Sequence, residues 1–236
     1  MDWTKKYKKA VTFSYDDGNE QDQRLAALFG KYRVKAAFNL NSGMDESTGT
    51  WVCEGLAVRH LNPRQWPTVY KGQECAVHTV HHPNLYEMED SDRIRMEIRE
   101  DKAAIERIVG QQVYGMAYPF GGHTKNVRQI AAEEGIYYAR TTVSSYGFDM
   151  PERLLELPPT CHHDDPALFE LAEEFIRRND GRYQIFYIWG HSYEFDVHEN
   201  WERFERFLKM VSGRKDVYYG TNSQVLRPCW EMGVKV

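Results

Sequence analysis

The sequence predicts a single-domain α/β protein over residues 1–236, built on a parallel sheet or barrel of about seven strands alternating with helices. Three observations lead there. Short runs rich in β-branched and aromatic residues alternate with stretches whose apolar positions recur at helical spacing. Polar groups follow directly on four of those short runs, and parallel α/β folds gather function at the carboxyl ends of their strands. Hydrophobic residues make up 42% of the chain and aromatics 14%, enough for a sizeable core.

The first strand is Val11-Thr12-Phe13-Ser14-Tyr15, running straight into Asp16-Asp17-Gly18. Gln23 to Tyr32 carries Leu25, Leu28, Phe29 and Tyr32 at helical spacing, and Lys35 to Leu40 reads as the second strand. Residues 41–72 form a long, partly helical excursion punctuated by Gly and Pro, with Trp51 and Trp66 embedded. Glu74 to Val77 is a short strand ending at His78. Ser91 is expected to cap a helix through Val109, with Ile94, Ile98, Ile105 and Ile108 inward and Glu97, Arg99, Glu100 and Lys102 on its wet side. Val113 to Ala117 is a strand ending in Tyr118-Pro119-Phe120-Gly121, Asn126 to Glu134 a helix, and Ile136 to Ala139 a strand. Asp165-Pro166 opens a helix to Arg178, Gln184 to Trp189 is an apolar strand ending in Gly190-His191, His198 to Val211 is helical, and Val217 to Tyr219 is a last strand.

The net charge is −5, with Lys and Arg dispersed, and no apolar run approaches a membrane span, so neither a nucleic-acid nor a membrane footprint is expected. No apolar segment follows Met1 to Lys6 in the manner of a signal peptide. The sequence as given therefore reads as cytoplasmic, the alternative being a mature secreted form. Cys53, Cys75, Cys161 and Cys229 are far apart and read as free thiols. Oligomeric state is not encoded in any recognisable signal.

Chemistry concentrates at the strand ends. Asp16 and Asp17 could not share a site on an extended strand, but Gly18 permits a turn that brings them together. In His78-Thr79-Val80-His81-His82-Pro83, histidines four apart meet on one face of a helical turn and both reach one metal, with His81 as the competing ligand. Asp17 with two imidazoles leaves coordination positions open and suits Zn²⁺, Co²⁺, Ni²⁺ or Fe²⁺. Hydrolysis fits this set: Asp16 is adjacent as proton acceptor, and His191 at its own strand end is the candidate proton donor.

Thr12-Phe13…Asp16-Asp17-Gly18, His78-Thr79…His82-Pro83-Asn84-Leu85 and Tyr118-Pro119-Phe120-Gly121 resemble the successive motifs of the polysaccharide deacetylase family, the NodB-homology group of carbohydrate esterases. The resemblance runs from about Lys9 to Leu226. It implies a distorted, incomplete (β/α) barrel of parallel strands, with Asp16 as base and His191 as acid. It also implies one divalent ion, zinc first with cobalt or nickel as alternatives, on Asp17, His78 and His82, and an oxyanion hole at the Phe120 N–H. The implied reaction is removal of an acetyl group from an acetylated carbohydrate, N-acetyl before O-acetyl. Trp51, Trp66, Trp189, Tyr118 and Tyr193 are candidate faces for a sugar ring. Two departures stand out. Ala117 occupies the place where the family's third motif often has an Arg that pairs with the catalytic Asp, and the fourth motif is replaced by Pro159-Thr160-Cys161-His162-His163-Asp164-Asp165. His162 or His163 is therefore expected to reach the site, with Asp164 or Asp165 pairing with an imidazole such as His191. The alternatives are hydrolysis of a non-sugar C–N bond and a metal-containing binding protein that has lost catalysis.

Overall fold

The computed structural model describes residues 2–231 and 233; Met1, Met232 and 234–236, included in the single-domain expectation, lie outside the described residues. In chain order the elements are β1 (Lys9–Asp16), α1 (Asp22–Tyr32), β2 (Ala36–Leu40), a hairpin of β3 (Trp51–Cys53) and β4 (Leu56–Val58), α2 (Trp66–Val69), β5 (Glu74–Val77) and α3 (Ser91–Val109). Then come β6 (Gly115–Ala117), α4 (Lys125–Glu133), β7 (Tyr138–Arg140), β8 (Cys161–His162), α5 (Leu168–Arg177), β9 (Gln184–His191), α6 (Glu194–Val197), α7 (Trp201–Val211), β10 (Val217–Tyr219) and α8 (Asn222–Glu231).

Seven strands in the order β7-β6-β5-β2-β1-β9-β8 curl into an incomplete barrel in which every pairing is parallel. β9 pairs with β1 along its whole length, while β2 takes the upper half of the opposite edge and β10 the lower. Beside β7 the segment leading towards β8 adds an isolated parallel bridge, Arg140 to Leu157.

β1 shows why its sequence folds this way. Its odd positions Val11, Phe13 and Tyr15 face the helix layer, where Phe13 and Tyr15 pack on Phe29 and Phe204 at ring distances of 4.9 to 6.2 Å. Its even positions Thr12, Ser14 and Asp16 are also buried and hydrogen-bond inside the barrel, to Asn222 (2.7 Å) and Asn39 (2.9 and 2.7 Å). One strand thus carries an apolar face outward and a polar column inward, ending on Asp16.

Several sequence expectations shift. Asp90, not Ser91, caps α3, accepting from the N–H groups of Asp92 and Arg93. Glu97 is buried rather than wet, because its carboxylate takes the N–H and ring nitrogen of His81. The strand expected at 136–139 lies at 138–140, and α5 and α7 start later than expected, at Leu168 and Trp201. β8 and α8 were not anticipated. The four cysteines are free thiols. Among the described residues no helix is long and apolar enough to cross a membrane.

Candidate active site

The polar strand ends converge on one cleft of about 640 Å³. β1 stops at Asp16, and the chain turns through Asp17 and Gly18 with φ of 75° and 68°. Left-handed backbone is strained for a residue with a Cβ. It is held here because Gly18 offers its carbonyl to the N–H of Leu61 (2.8 Å), and it lets Asp16 and Asp17 face the same space.

His78 follows β5. Its Nδ1 lies 2.8 Å from the Ala117 carbonyl, which can only accept, so a hydrogen sits on Nδ1 and Nε2 is the nitrogen turned to the cleft. His82 meets it in a loop, not on the helical turn that the spacing suggested: Thr79 and His82 both have positive φ, 69° and 53°. Asn41 ties this loop down, donating to the carbonyls of His78 (2.6 Å) and Thr79 (2.9 Å), and Gly43 N–H donates to Val80 O (3.0 Å). Asp101, which sequence reading passed over, accepts from the His78 N–H at 3.0 Å. His81 points away onto Glu97.

Asp17 Oδ1 stands 3.5 Å from both His78 Nε2 and His82 Nε2, and the two Nε2 atoms are 3.2 Å apart. Tetrahedral bonds of about 2.0–2.1 Å place donor atoms roughly 3.3–3.4 Å apart. The three side chains therefore fit a divalent ion. Burial and His78 push the His82 imidazole down to about 4, so it presents a lone pair at neutral pH. Burial would raise Asp17, but His78, His191 and His82 outweigh it and hold the carboxyl well below its usual range.

Asp16 is buried, and its Oδ1 accepts from Asn39 at 2.7 Å. Its Oδ2 contacts the guanidinium of Arg140, a fully buried residue stacked at 4.4 Å over Trp189. A cationic partner for Asp16 is thus present although Ala117 occupies the motif position. Ala117 and Arg140 are register partners on β6 and β7, and the charge comes from the neighbouring strand. Burial pulls the Asp16 carboxyl up; Arg140, His78 and His191 outweigh it and hold it below the ordinary value.

His191 ends β9 with Nε2 at 4.0 Å from both Asp16 Oδ2 and Asp17 Oδ2. Its Nδ1 is 3.2 Å from Glu194 Oε1. The carboxylate beside His191 is therefore Glu194, three residues on, rather than Asp164 or Asp165. Asp164 pairs with His163 and His198, and Asp165 accepts from the Ala167 N–H and from Tyr146. Burial disfavours the imidazolium, but Glu194, Asp17 and Asp16 outweigh it and raise His191 to about 9.

Trp51, Trp189, Tyr193 and Phe120 line the cleft, with Phe120 at φ 59° edge-on to His82. Tyr118 and Trp66 do not: both are buried in the core, Tyr118 donating to the Leu155 carbonyl. His162 stands behind the site, with Glu194 3.1 Å from its Nε2 and the ring of Trp189 beside it at 4.8 Å, and His163 lies buried beneath Gly190.

A family model for polysaccharide deacetylase matches residues 4–139. The chain belongs to the polysaccharide deacetylase family. Within it, a curated relative, the uncharacterized protein YlxY of Bacillus subtilis, is 25% identical over 134 residues, and this deacetylase-family chain spans 38% of that relative's length. Its fold is shared with a family 4 carbohydrate esterase from Streptomyces lividans solved with acetate (TM-score 0.56, 14% identity, 91% of this chain and 92% of that one). It is also shared with peptidoglycan deacetylase PdaC from Bacillus subtilis (TM-score 0.57, 16% identity, 95% and 93%). A CE4 family pseudoenzyme from Bacillus anthracis has the same fold (TM-score 0.55, 20% identity, 93% and 66%).

Proposed function

We propose that the protein is a metal-dependent deacetylase acting on an acetylated carbohydrate, with an N-acetyl amide as the preferred group. The observation that carries this reading is the shared cleft. A three-donor cluster suited to zinc faces a buried carboxylate with its own arginine and an imidazole held by a carboxylate, on a family scaffold. Asp17, His78 and His82 would hold the ion, with cobalt or nickel as alternatives for the same donors. When bound, it supplies Lewis acidity to the acetyl carbonyl.

The residues divide the remaining work. Asp16, kept ionised by Arg140 and oriented by Asn39, takes a proton from the attacking water. The Phe120 N–H is offered to the developing oxyanion. His191, with Nε2 facing both aspartates across 4.0 Å, gives its proton to the departing nitrogen, breaking the C–N bond and leaving acetate and an amine. Trp51, Trp189, Tyr193 and Phe120 supply faces for a sugar ring.

The test is acetate release by zinc-loaded protein from N-acetylglucosamine oligomers, O-acetylated oligosaccharides and a non-sugar N-acetyl amide. Release from the N-acetyl oligomers is expected. Stoichiometric metal with acetate from none of the sugars overturns the reading.

A further inference from the structure

His162, His191 and Glu194 place metal-ligating atom types within 4.8 Å of one another, yet the contacts that His162 and Glu194 already make leave no room for a second ion there. The N–H of Asp164 donates to His162 Nδ1 at 3.1 Å, which fixes the lone pair on Nδ1 and the hydrogen on Nε2. That Nε2–H meets Glu194 Oε2 at 3.1 Å, so it has no lone pair to offer a cation. The same Oε2 also accepts the backbone N–H of His191 at 2.8 Å. With Oε2 approached by two donors, Oε1 is left facing His191 Nδ1 at 3.2 Å, within ion-pair distance though not aligned as a hydrogen bond.

We propose that Glu194 and His162 form a positioning pair for His191. His162 locks the Glu194 carboxylate, and Glu194 locks the imidazole with Nδ1–H toward itself and Nε2 toward the cleft. The role rests on the reading of His191 as proton donor, and it assigns His162 a place behind the imidazole rather than against substrate. The surrounding packing supports a fixed arrangement. Trp189 lies edge-on to both rings, at 4.8 Å from His162 and 5.7 Å from His191, and Tyr193 covers His191 at 5.4 Å. Glu194 opens α6, so the carboxylate sits on ordered backbone rather than on a free loop.

An amide exposes the logic. In Glu194→Gln the side-chain oxygen is demanded by the two donors at the Oε2 position, which turns the NH₂ group toward His191 Nδ1. Nδ1 must then become an acceptor, which leaves His191 with hydrogen on Nε2 alone. ¹⁵N NMR of zinc-loaded protein reads this directly: His191 Nδ1 carries a hydrogen in wild type, whereas in E194Q only Nε2 does. A His191 that keeps its Nδ1 hydrogen in E194Q overturns the proposal.

Kinetics on the best substrate of the acetate-release panel supply the second arm. E194Q is expected to lower kcat on the order of 100-fold, the lower end for a lost acid–base group, with KM little changed. H162A is expected to lower kcat about 10-fold, and H162A/E194Q should be no slower than E194Q alone, since groups acting in series are not additive. A full, multiplicative H162A loss in the E194Q background, or an H162A effect confined to KM, overturns the proposal and returns His162 to the substrate. Should wild type release no acetate from any compound, the deacetylase reading fails, and the tautomer measurement decides the positioning pair on its own.

Discussion

Replacing Arg140 with Met tests the central electrostatic pairing. The perturbation keeps the length and bulk of a fully buried side chain and removes its charge, leaving Asp16 buried with only Asn39 as donor. Breaking a buried ion pair from one side costs about 3–5 kcal/mol. At about 2–4 °C per kcal/mol for a chain of this length, the melting temperature should fall by roughly 6–20 °C near neutral pH. The pH dependence has a definite sign. In wild type the Asp16 carboxyl lies below its unfolded value, so its contribution to stability is present above about pH 4 and is lost as pH falls through the folded value. Without Arg140, burial, the largest influence on Asp16, pulls the group upward, and ionising it then costs stability as pH rises. The stability gap between R140M and wild type should therefore be wide at pH 7 and narrow below about pH 4. The acid limb of kcat/KM should move to higher pH for the same reason. Thermal denaturation at several pH values and a pH–rate profile for acetate release make the measurement. A gap independent of pH, or an acid limb that stays in place, refutes the pairing as the force that holds Asp16 ionised.

Three further outcomes follow from the geometry. H82A should abolish stoichiometric zinc while H81A retains it, by metal analysis of the purified proteins, because His81 is committed to Glu97. D16N should keep zinc but lose about 100- to 10,000-fold in turnover, measured as acetate release, as expected for a lost base. Gly190→Ala would set a Cβ 2.0 Å from His163 Nδ1 inside the core, and should destabilise by about 1–3 kcal/mol in a urea titration; a neutral result would show that His163 can move aside.

Much of the fold was legible because the strands are short, apolar and separated by clear helical stretches. What the sequence hid is instructive. Arg140 was passed over because a charged residue just beyond an expected strand end looks like a solvated turn. Only the register of β7 against β6 shows that it lies beside Ala117, inside the barrel. β8, at two residues, is too short to show any period. Two other signals were present. Glu97 and Asp101 fall on the same stripe as Ile94, Ile98 and Ile105, at i+3 and i+7 from Ile94, so α3 places two carboxylates on its apolar face. Glu194, three residues after His191, was the nearest carboxylate in sequence to the imidazole that needed one. Tyr118 erred the other way: an aromatic next to a motif suggested a substrate face, whereas strand alternation sends its ring into the core.

The excursion between β2 and α2 has a consequence for how substrate enters and leaves. Its backbone is fastened at Gly18, Glu20 and Val80, and Asn41 clasps the carbonyls of His78 and Thr79, so it is anchored to the loops on both sides of the cleft. A wall with those attachments cannot swing as a lid without pulling the donor cluster apart. Association therefore need not spend conformational entropy ordering a flap. On the proposed function, a standing cleft would admit an acetyl group at an internal residue of a carbohydrate chain as readily as one at its end. Residence time on the protein is then governed by the contacts along the groove.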